Sequence, residues 1–486
     1  MPWSEGVQPL RMQRVAVVAP ARHERDVLVR LADAGVAELD RPEVRDQTAG
    51  GAAGPATALL LQLPDTAALQ PRLAATAPDL PALVAAGRAD LVAGEAQLET
   101  YLAVAVRRRQ VTGWAGWVPS AELDALAGTL AGVGGGVVPL SLPRGLDPPT
   151  MLRPGGQVRR SMTPLVETYA TVPYRDVDPT LLAGLAYVLM FGMMFGDVGH
   201  GALLVLAGIA LGLGRPRRWA RFRKVWPFVV GAGTAAAFFG LLYGEFFGPT
   251  GVVPVLWLSP LEEPVTLLTA ALGVGAVLLA GAYTVGAVNR WREGGWPHAL
   301  VAASGIAGAT LFAGLGLVLL GVDADLHWLV VLGVVTALGG VALAYVGFIA
   351  NAGGSAAGLT QATVELFDMV LRLGTNVVSF ARLAAFGLTH AALGLVVWDA
   401  TVALWGRGGG WLLAAVTVFL LGNAVAFTLE ALVAGVQALR LEYYELFSRV
   451  FSAEGRPFRP WHVPLDVPAA ESAATDLVPT TPGRKP

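Results

Sequence analysis

From Leu181 onward the chain is a succession of long apolar runs, and few folds can accommodate that. The runs cover about 225–245, 264–288, 297–320, 326–350, 373–405 and 411–439. An α-helix needs roughly 20 apolar residues to cross the roughly 30 Å hydrocarbon layer of a bilayer. In lipid the backbone must satisfy its own hydrogen bonds, so such runs are expected as helices. Hydrophobic residues make up 54% of the chain and charged residues only 14%, with mean hydropathy +0.57. An ordinary soluble domain carries about 25% charged residues.

The first apolar stretch, 181–213, does not fit one crossing. As one helix it would be about 50 Å long, and its middle reads Gly196-Asp-Val-Gly-His-Gly201, a polar and helix-breaking sequence. Arg215, Arg217, Arg218, Arg221, Arg223 and Lys224 follow it. By the positive-inside rule that loop is cytoplasmic. With a cytoplasmic N-terminal module, residues 181–213 must enter and return as two short helices hinged near Asp197. The 246–263 loop, with Glu262 and Glu263 but no Lys or Arg, then faces outward. Arg290 and Arg292 face inward, and Asp323, Asp325 and His327 outward. The expected fold class is mainly α: a polytopic membrane protein of about eight transmembrane helices, the last two long and tilted, plus a small N-terminal α+β cytoplasmic domain.

That domain is read over residues 1–150. Val15–Val18 is a β-type run, Arg22 to Ala34 has helical spacing, and Gly35 is a helix stop before a second strand at Val36–Leu39. Residues 56–110 read as a helical pair interrupted by prolines. Val111–Pro119 reads as a strand, followed by a helix from about Ser120 and a glycine-rich turn at Gly132–Gly136. Residues 151–180 are a Pro-rich connector, 181–447 the membrane domain, and 448–486 a cytoplasmic tail disordered at its end. Arg11, Arg14, Arg22, Arg25 and Arg30 punctuate the start of the chain with no apolar core among them, so no signal peptide is expected there.

Charges embedded in the apolar runs are the functional signal. Arg382 lies within Thr375–Trp398; a guanidinium stays protonated, and near a bilayer centre it costs at least about 2.5–3.5 kcal/mol. In the last run Asn423, Glu430 and Gln437 recur every seven residues. Each step drifts only about 20° around a helix, so the three share a face, with Arg440 at its edge. Polar residues there also serve as interhelical glue, Glu430 and Arg440 also fit an internal ion pair, and Arg440 could snorkel to headgroups. His390, eight residues past Arg382, suits proton relay as well as structural bonding. Glu365, Asp368 and Arg372 read as a solvated helix entry or the lining of a cytoplasmic water funnel. Asp197 and His200 read mainly as a helix break with packing, and the aromatic set Phe238, Phe239, Tyr243, Phe246 and Phe247 as packing or an interface belt.

Other chemistries are disfavoured. No Gly-rich phosphate loop of the G-x-x-x-x-G-K-[ST] type occurs. The chain has no cysteine and six histidines, which excludes disulfides and thiolate metal sites; no metal-ligand cluster is apparent and no cofactor is expected. A net charge of −2 gives no bulk reason for nucleic-acid binding.

Several segments carry a family resemblance: Met162–Tyr169 with Val177–Thr180, Met190–Gly201, Phe239–Gly248, Ser379–Ala384 and on to His390, and Leu429–Glu445 followed by Phe458. Over roughly 160–460 the chain resembles the membrane stator subunit of V-type and A-type rotary ATPases, called subunit a in eukaryotic and subunit I in prokaryotic enzymes. Met12–Leu39 and Gly116–Pro119 resemble the two ends of that family's cytoplasmic domain. Only the short segment Asp40–Ala115 separates them here, where the family has a long helical hairpin and a second lobe.

The resemblance implies a non-catalytic, ion-translocating subunit of a cell-membrane complex, of prokaryotic type, with both termini cytoplasmic. Its implied partners are a rotor ring of proteolipid (c/K-type) subunits, peripheral-stalk (E/G-type) subunits, a central-stalk ring adaptor (d/C-type) and the bilayer. Arg382 and Arg440 would face the ring. Glu430, His390 and Gln437, with Asn423 and Ser379, would line the ion path, and Glu365 with Asp368 would border the cytoplasmic half-channel. The counter-charge of Arg382 is then expected on the ring, not in this chain. A non-conducting stalk-tethering scaffold and a stand-alone secondary transporter are the alternatives.

Overall fold

The computed structural model describes residues 8–40, 54–63, 69–142, 145–153, 155–215, 217–353, 355–451 and 453–466. The chain divides into two compact units. One is built on residues 10–151 together with the segment from Arg456, the other on Leu152–Gly455.

The first unit is a five-stranded antiparallel sheet with helices against it. Its strands are β1 (Met12–Pro20), β2 (Glu38–Leu39), β3 (Val106–Arg108), β4 (Val111–Pro119) and β5 (Gly136–Pro139), ordered β2-β4-β1-β5 with β3 beside β4. Val15, Val17 and Ala19 alternate into the core, the period-two pattern of a half-buried strand. Helix α1 (Glu24–Ala34) buries Val27, Leu28 and Leu31, and Gly35, left-handed at φ 61, ends it. Among the described residues between the sheet's halves lie three helices, α2 (Pro55–Leu60), α3 (Leu80–Ala85) and α4 (Ala89–Ala103), rather than a pair; α5 (Leu123–Ala131) follows β4.

The segment after 455 belongs to this unit. Trp461 N donates to Ala37 O (2.9 Å), Val463 N to Ala32 O (3.1 Å), and Leu73 N to Pro464 O (3.0 Å). The Trp461 ring lies 4.3 Å from that of Tyr101. The segment read as a tail from 448 divides: residues 448–450 close the other unit's last helix, and 456–466 thread across the sheet module. The expectation for the end of the tail lies outside the described residues.

The second unit is helical. The Pro-rich connector contains α6 (Gln157–Tyr169), with Pro164 inside it. Then come α7 (Thr180–Met194) and α8 (Val198–Gly212), the two short apolar helices expected around Asp197, and α9 (Trp226–Tyr243). They are followed by α10 (Pro264–Val301), broken at Gly295 ahead of Pro297, α11 (Ile306–Asp323) and α12 (His327–Asn351). The apolar run through Arg382 is two helices, α13 (Ala356–Ser379) and α14 (Ala381–Trp405), meeting at Phe380. The last is α15 (Trp411–Leu441), running on through a π-helical stretch, Glu442–Phe447. Among the described residues six stretches are long and apolar enough to cross a membrane, and α7 and α8 are shorter apolar helices. The chain is a multi-pass membrane protein.

A core of Met190, Phe195, Leu267, Leu279, Phe380, Leu383 and Leu441 holds α7, α10, α14 and α15 together. Outward-facing side chains of the long helices are also apolar: Val396, Leu420, Leu421, Val425, Leu429, Leu432 and Val436 are all exposed. Such a surface is stable only against lipid or another apolar protein face.

Candidate functional site in the helix bundle

Two polar clusters sit among α7–α9, α14 and α15. The break at Phe380 places Arg382 in the first turn of α14, not mid-helix as the apolar run implied. Its Nε donates to Ser379 O (3.1 Å), one of the carbonyls left free where α13 ends. Its Nη2 donates to Glu445 Oε1 (3.1 Å). The counter-charge of Arg382 thus lies in this chain, which corrects the expectation that only the ring would supply it. Glu445 is reached because the π-helical stretch shifts the register of α15's continuation; such insertions recur at functional sites. The pair is not saturated. The Arg382 side chain keeps 25% exposure against 6% for Glu445, and Arg382 Nη1 and Glu445 Oε2 are buried without a hydrogen-bond partner. Arg440 is exposed and its charge acts on the same carboxylate.

The second cluster lies eight residues further along α14, about 12 Å at 1.5 Å per residue. His390, 4% exposed, pairs through Nδ1 with Glu430 Oε2 of α15, and its Nε2 lies 3.9 Å from Glu245 Oε2. Glu430 is therefore paired to His390, not to Arg440. A cavity of about 270 Å³ opens beside them, lined by Met194, Phe386, Thr389, Leu393, Leu429 and Val433. Asp197 and His200, at the α7–α8 hinge, join the same cluster. Asp197 caps α8, Oδ1 accepting from His200 N (2.8 Å), while Oδ2 accepts from Gly248 N (2.8 Å). Gly248 has φ +92, and a Cβ there would meet the backbone of Gly394 at 2.9 Å, so the α9–α10 loop reaches α14 only because this residue has no side chain. His200 is 3% exposed, and neither ring nitrogen has a hydrogen-bond partner. Leaving a buried polar group unpaired costs about 1–3 kcal/mol.

The other expected residues divide. Asn423 is buried, and its Nδ2 donates to Phe419 O (2.9 Å) within its own helix. The Gln437 Oε1 is buried and unpaired. Glu365 bonds Gln361 (2.9 Å) and Asp368 bonds Arg372 (2.6 Å) on the surface of α13, away from both clusters. Of the aromatic set, Phe239 and Tyr243 are buried in packing, Phe238 is exposed, and Phe247 stands edge-on to His200 at 5.2 Å. Glu245 and Glu445 escaped notice in the sequence because one lies in a loop and the other beyond the seven-residue stripe; their placement inside quoted motifs was the available signal.

At the foot of the bundle Asn289 accepts from Val177 N (2.9 Å) and donates to Val450 O (3.1 Å), while Arg290 pairs with Glu293 (2.9 Å). Asp176, in the loop before α7, is fully buried beside them. Burial, with Glu293 close by, pushes its carboxyl up to about 7.

The chain is similar in sequence to several known proteins. Residues 100–252 match the family model described as the V-type ATPase 116 kDa subunit family. The chain is 26% identical over 402 residues to the A-type ATP synthase subunit I of Pyrococcus horikoshii, covering 79% of this chain and 58% of that protein. It is 29% identical over 376 residues to the subunit I of Aeropyrum pernix, covering 67% and 52%. It is 34% identical over 169 residues to the V-type ATP synthase subunit I 2 of Treponema pallidum, covering 32% and 35%. In these matches the chain is similar to members of the V/A-type ATPase subunit a/I family. It spans a little over half the length of the archaeal relatives it matches.

Proposed function

We propose that this chain is the ion-translocating stator subunit of a V/A-type rotary ATPase, working against a ring of proteolipid subunits. The observation that carries the reading is the unsaturated Arg382–Glu445 pair, partly exposed beside Arg440 at the edge of an outward-facing apolar surface. A ring carboxyl brought to that surface meets two fixed cations, which favour its ionised form, so it gives up its proton there. Once past them it recovers one from the opposite aqueous side. Glu445 holds the Arg382 fork in place between such encounters. His390, Glu430 and the adjoining cavity form the outer exit, with Gln437 between them and the arginines, Asn423 beyond them and Ser379 at the Arg382 turn; Glu365 and Asp368 border the cytoplasmic entrance. Both termini lie in the cytoplasm of a prokaryotic cell, and the sheet module faces the peripheral stalk and the central-stalk adaptor. Ion flow here would be coupled to ATP hydrolysis or synthesis elsewhere in the complex.

The test is proton pumping by the reconstituted complex. Arg382→Ala abolishes it, and Arg382→Lys impairs it because lysine lacks the planar fork. Near-normal pumping by Arg382→Ala would leave the chain a tethering scaffold.

A further inference from the structure

We propose that Asp197, His200 and His390 form a binding site for a divalent transition-metal ion of the zinc class, inside the helix bundle. One ligand atom from each of the three lies within 4.8 Å of the other two. Ligand atoms around a tetrahedral zinc stand about 3.4 Å apart, so each side chain moves inward by less than about 1 Å to close on the ion.

Three observations support a ligand rather than a packing role. His200 is 97% buried, its ring nitrogens make no hydrogen bond, and its Nδ1 lies 3.7 Å from Asp197 Oδ1. A histidine kept only for packing beside Phe195, Phe247 and Phe427 would be better served by a phenylalanine. His390 is bonded through Nδ1 to Glu430, which leaves Nε2 as its free ligating atom; a carboxylate behind a histidine is the usual support of a metal-bound imidazole. Asp197 is held by two backbone N–H groups, each carboxylate oxygen keeping a further lone pair. The set of two imidazoles and a carboxylate suits zinc and its neighbours and is too poor in oxygen for magnesium or calcium. Three protein ligands leave a fourth position, which Glu245 Oε2 flanks, unpaired and 3.9 Å from His390 Nε2. A metal ion here would tie the α7–α8 hinge to α14 and, by occupying His390 Nε2, would close the outer exit proposed above, so zinc binding would be inhibitory.

The full chain, carrying a histidine-free tag and stripped with a chelator, is titrated with Zn²⁺ against a chromogenic zinc indicator. With no cysteines and only six histidines in the chain, background sites are few. One ion per chain is expected, with magnesium failing to compete. His200→Phe keeps the ring among its aromatic neighbours and removes both nitrogens, so affinity falls at least about tenfold; Glu430→Gln weakens it by roughly 10–100-fold if it supports His390 from behind. His327→Ala and His23→Ala leave it unchanged. Cobalt bound to the unmodified chain gives the intense visible bands of a four- or five-coordinate nitrogen and oxygen site, a reading that needs no variant to fold. No zinc uptake, uptake unaltered in a helical His200→Phe chain, or the faint spectrum of six-coordinate cobalt would each overturn the proposal. None of these readouts depends on proton pumping.

Discussion

The Arg382–Glu445 pair makes a quantitative prediction about the bundle itself. Replacing Arg382 with Met strands a carboxylate that is 6% exposed. Removing one partner of a buried pair costs about 3–5 kcal/mol. Arg440 acts on the same carboxylate and offsets part of that, which brings the expectation to about 2–3 kcal/mol. Glu445→Gln costs less. Arg382 is a quarter exposed and keeps its bond to Ser379 O, so about 1–2 kcal/mol is lost. The double variant strands no charge and should fall short of the summed losses by about 1–2 kcal/mol, the coupling of residues in one network. Reversible unfolding in mixed micelles, followed by tryptophan fluorescence, measures all four proteins. Additivity within about 0.5 kcal/mol would refute the reasoning, since it would mean the two groups do not feel each other.

Two further outcomes follow from buried polar groups. Asp176 has its carboxyl raised from an ordinary 3.8 to about 7, so between those values the folded chain binds more protons than the unfolded one. Stability therefore falls as pH rises through that window and levels off above about pH 7; Asp176→Asn, which cannot ionise, should melt higher than the parent at pH 8, by at most about 4 kcal/mol, and show no such gain near pH 4. Asp197→Ala leaves two backbone N–H groups, of His200 and Gly248, without their acceptor and should destabilise by about 2–5 kcal/mol, whereas Asp197→Asn, retaining one acceptor oxygen, should lose less in the same unfolding assay.

What could be read from the residues was whatever depends on period and length. The apolar runs implied the crossing helices, and the Gly196–Gly201 break implied a hinge, because lipid and helix geometry leave little choice over stretches that long. The sheet module was legible through the alternation at Val15–Val18 and the stop at Gly35. Contacts between distant segments were not. No local pattern distinguishes residues 456–466 from a loose tail, yet Trp461 and Val463 find places against the sheet. The run through Arg382 reads as one helix because its hydropathy is continuous, while packing against α10 ends α13 at Phe380: a Cβ on Gly275 would lie 2.2 Å from that ring.

By itself, the sequence determined that this chain crosses a membrane many times and carries Arg382, His390 and Glu430 within its apolar runs, with Arg440 at the end of the last. Charges in apolar runs carry a high cost in lipid, so these residues mark a candidate site. Only the tertiary structure decided how they pair. Helix register and the π-helical stretch set Glu445 against Arg382, and the hinge and the α9–α10 loop bring Asp197, His200 and Glu245 to His390. Those pairings join residues 40 to 193 positions apart, over which periodicity carries no information and packing geometry carries all of it.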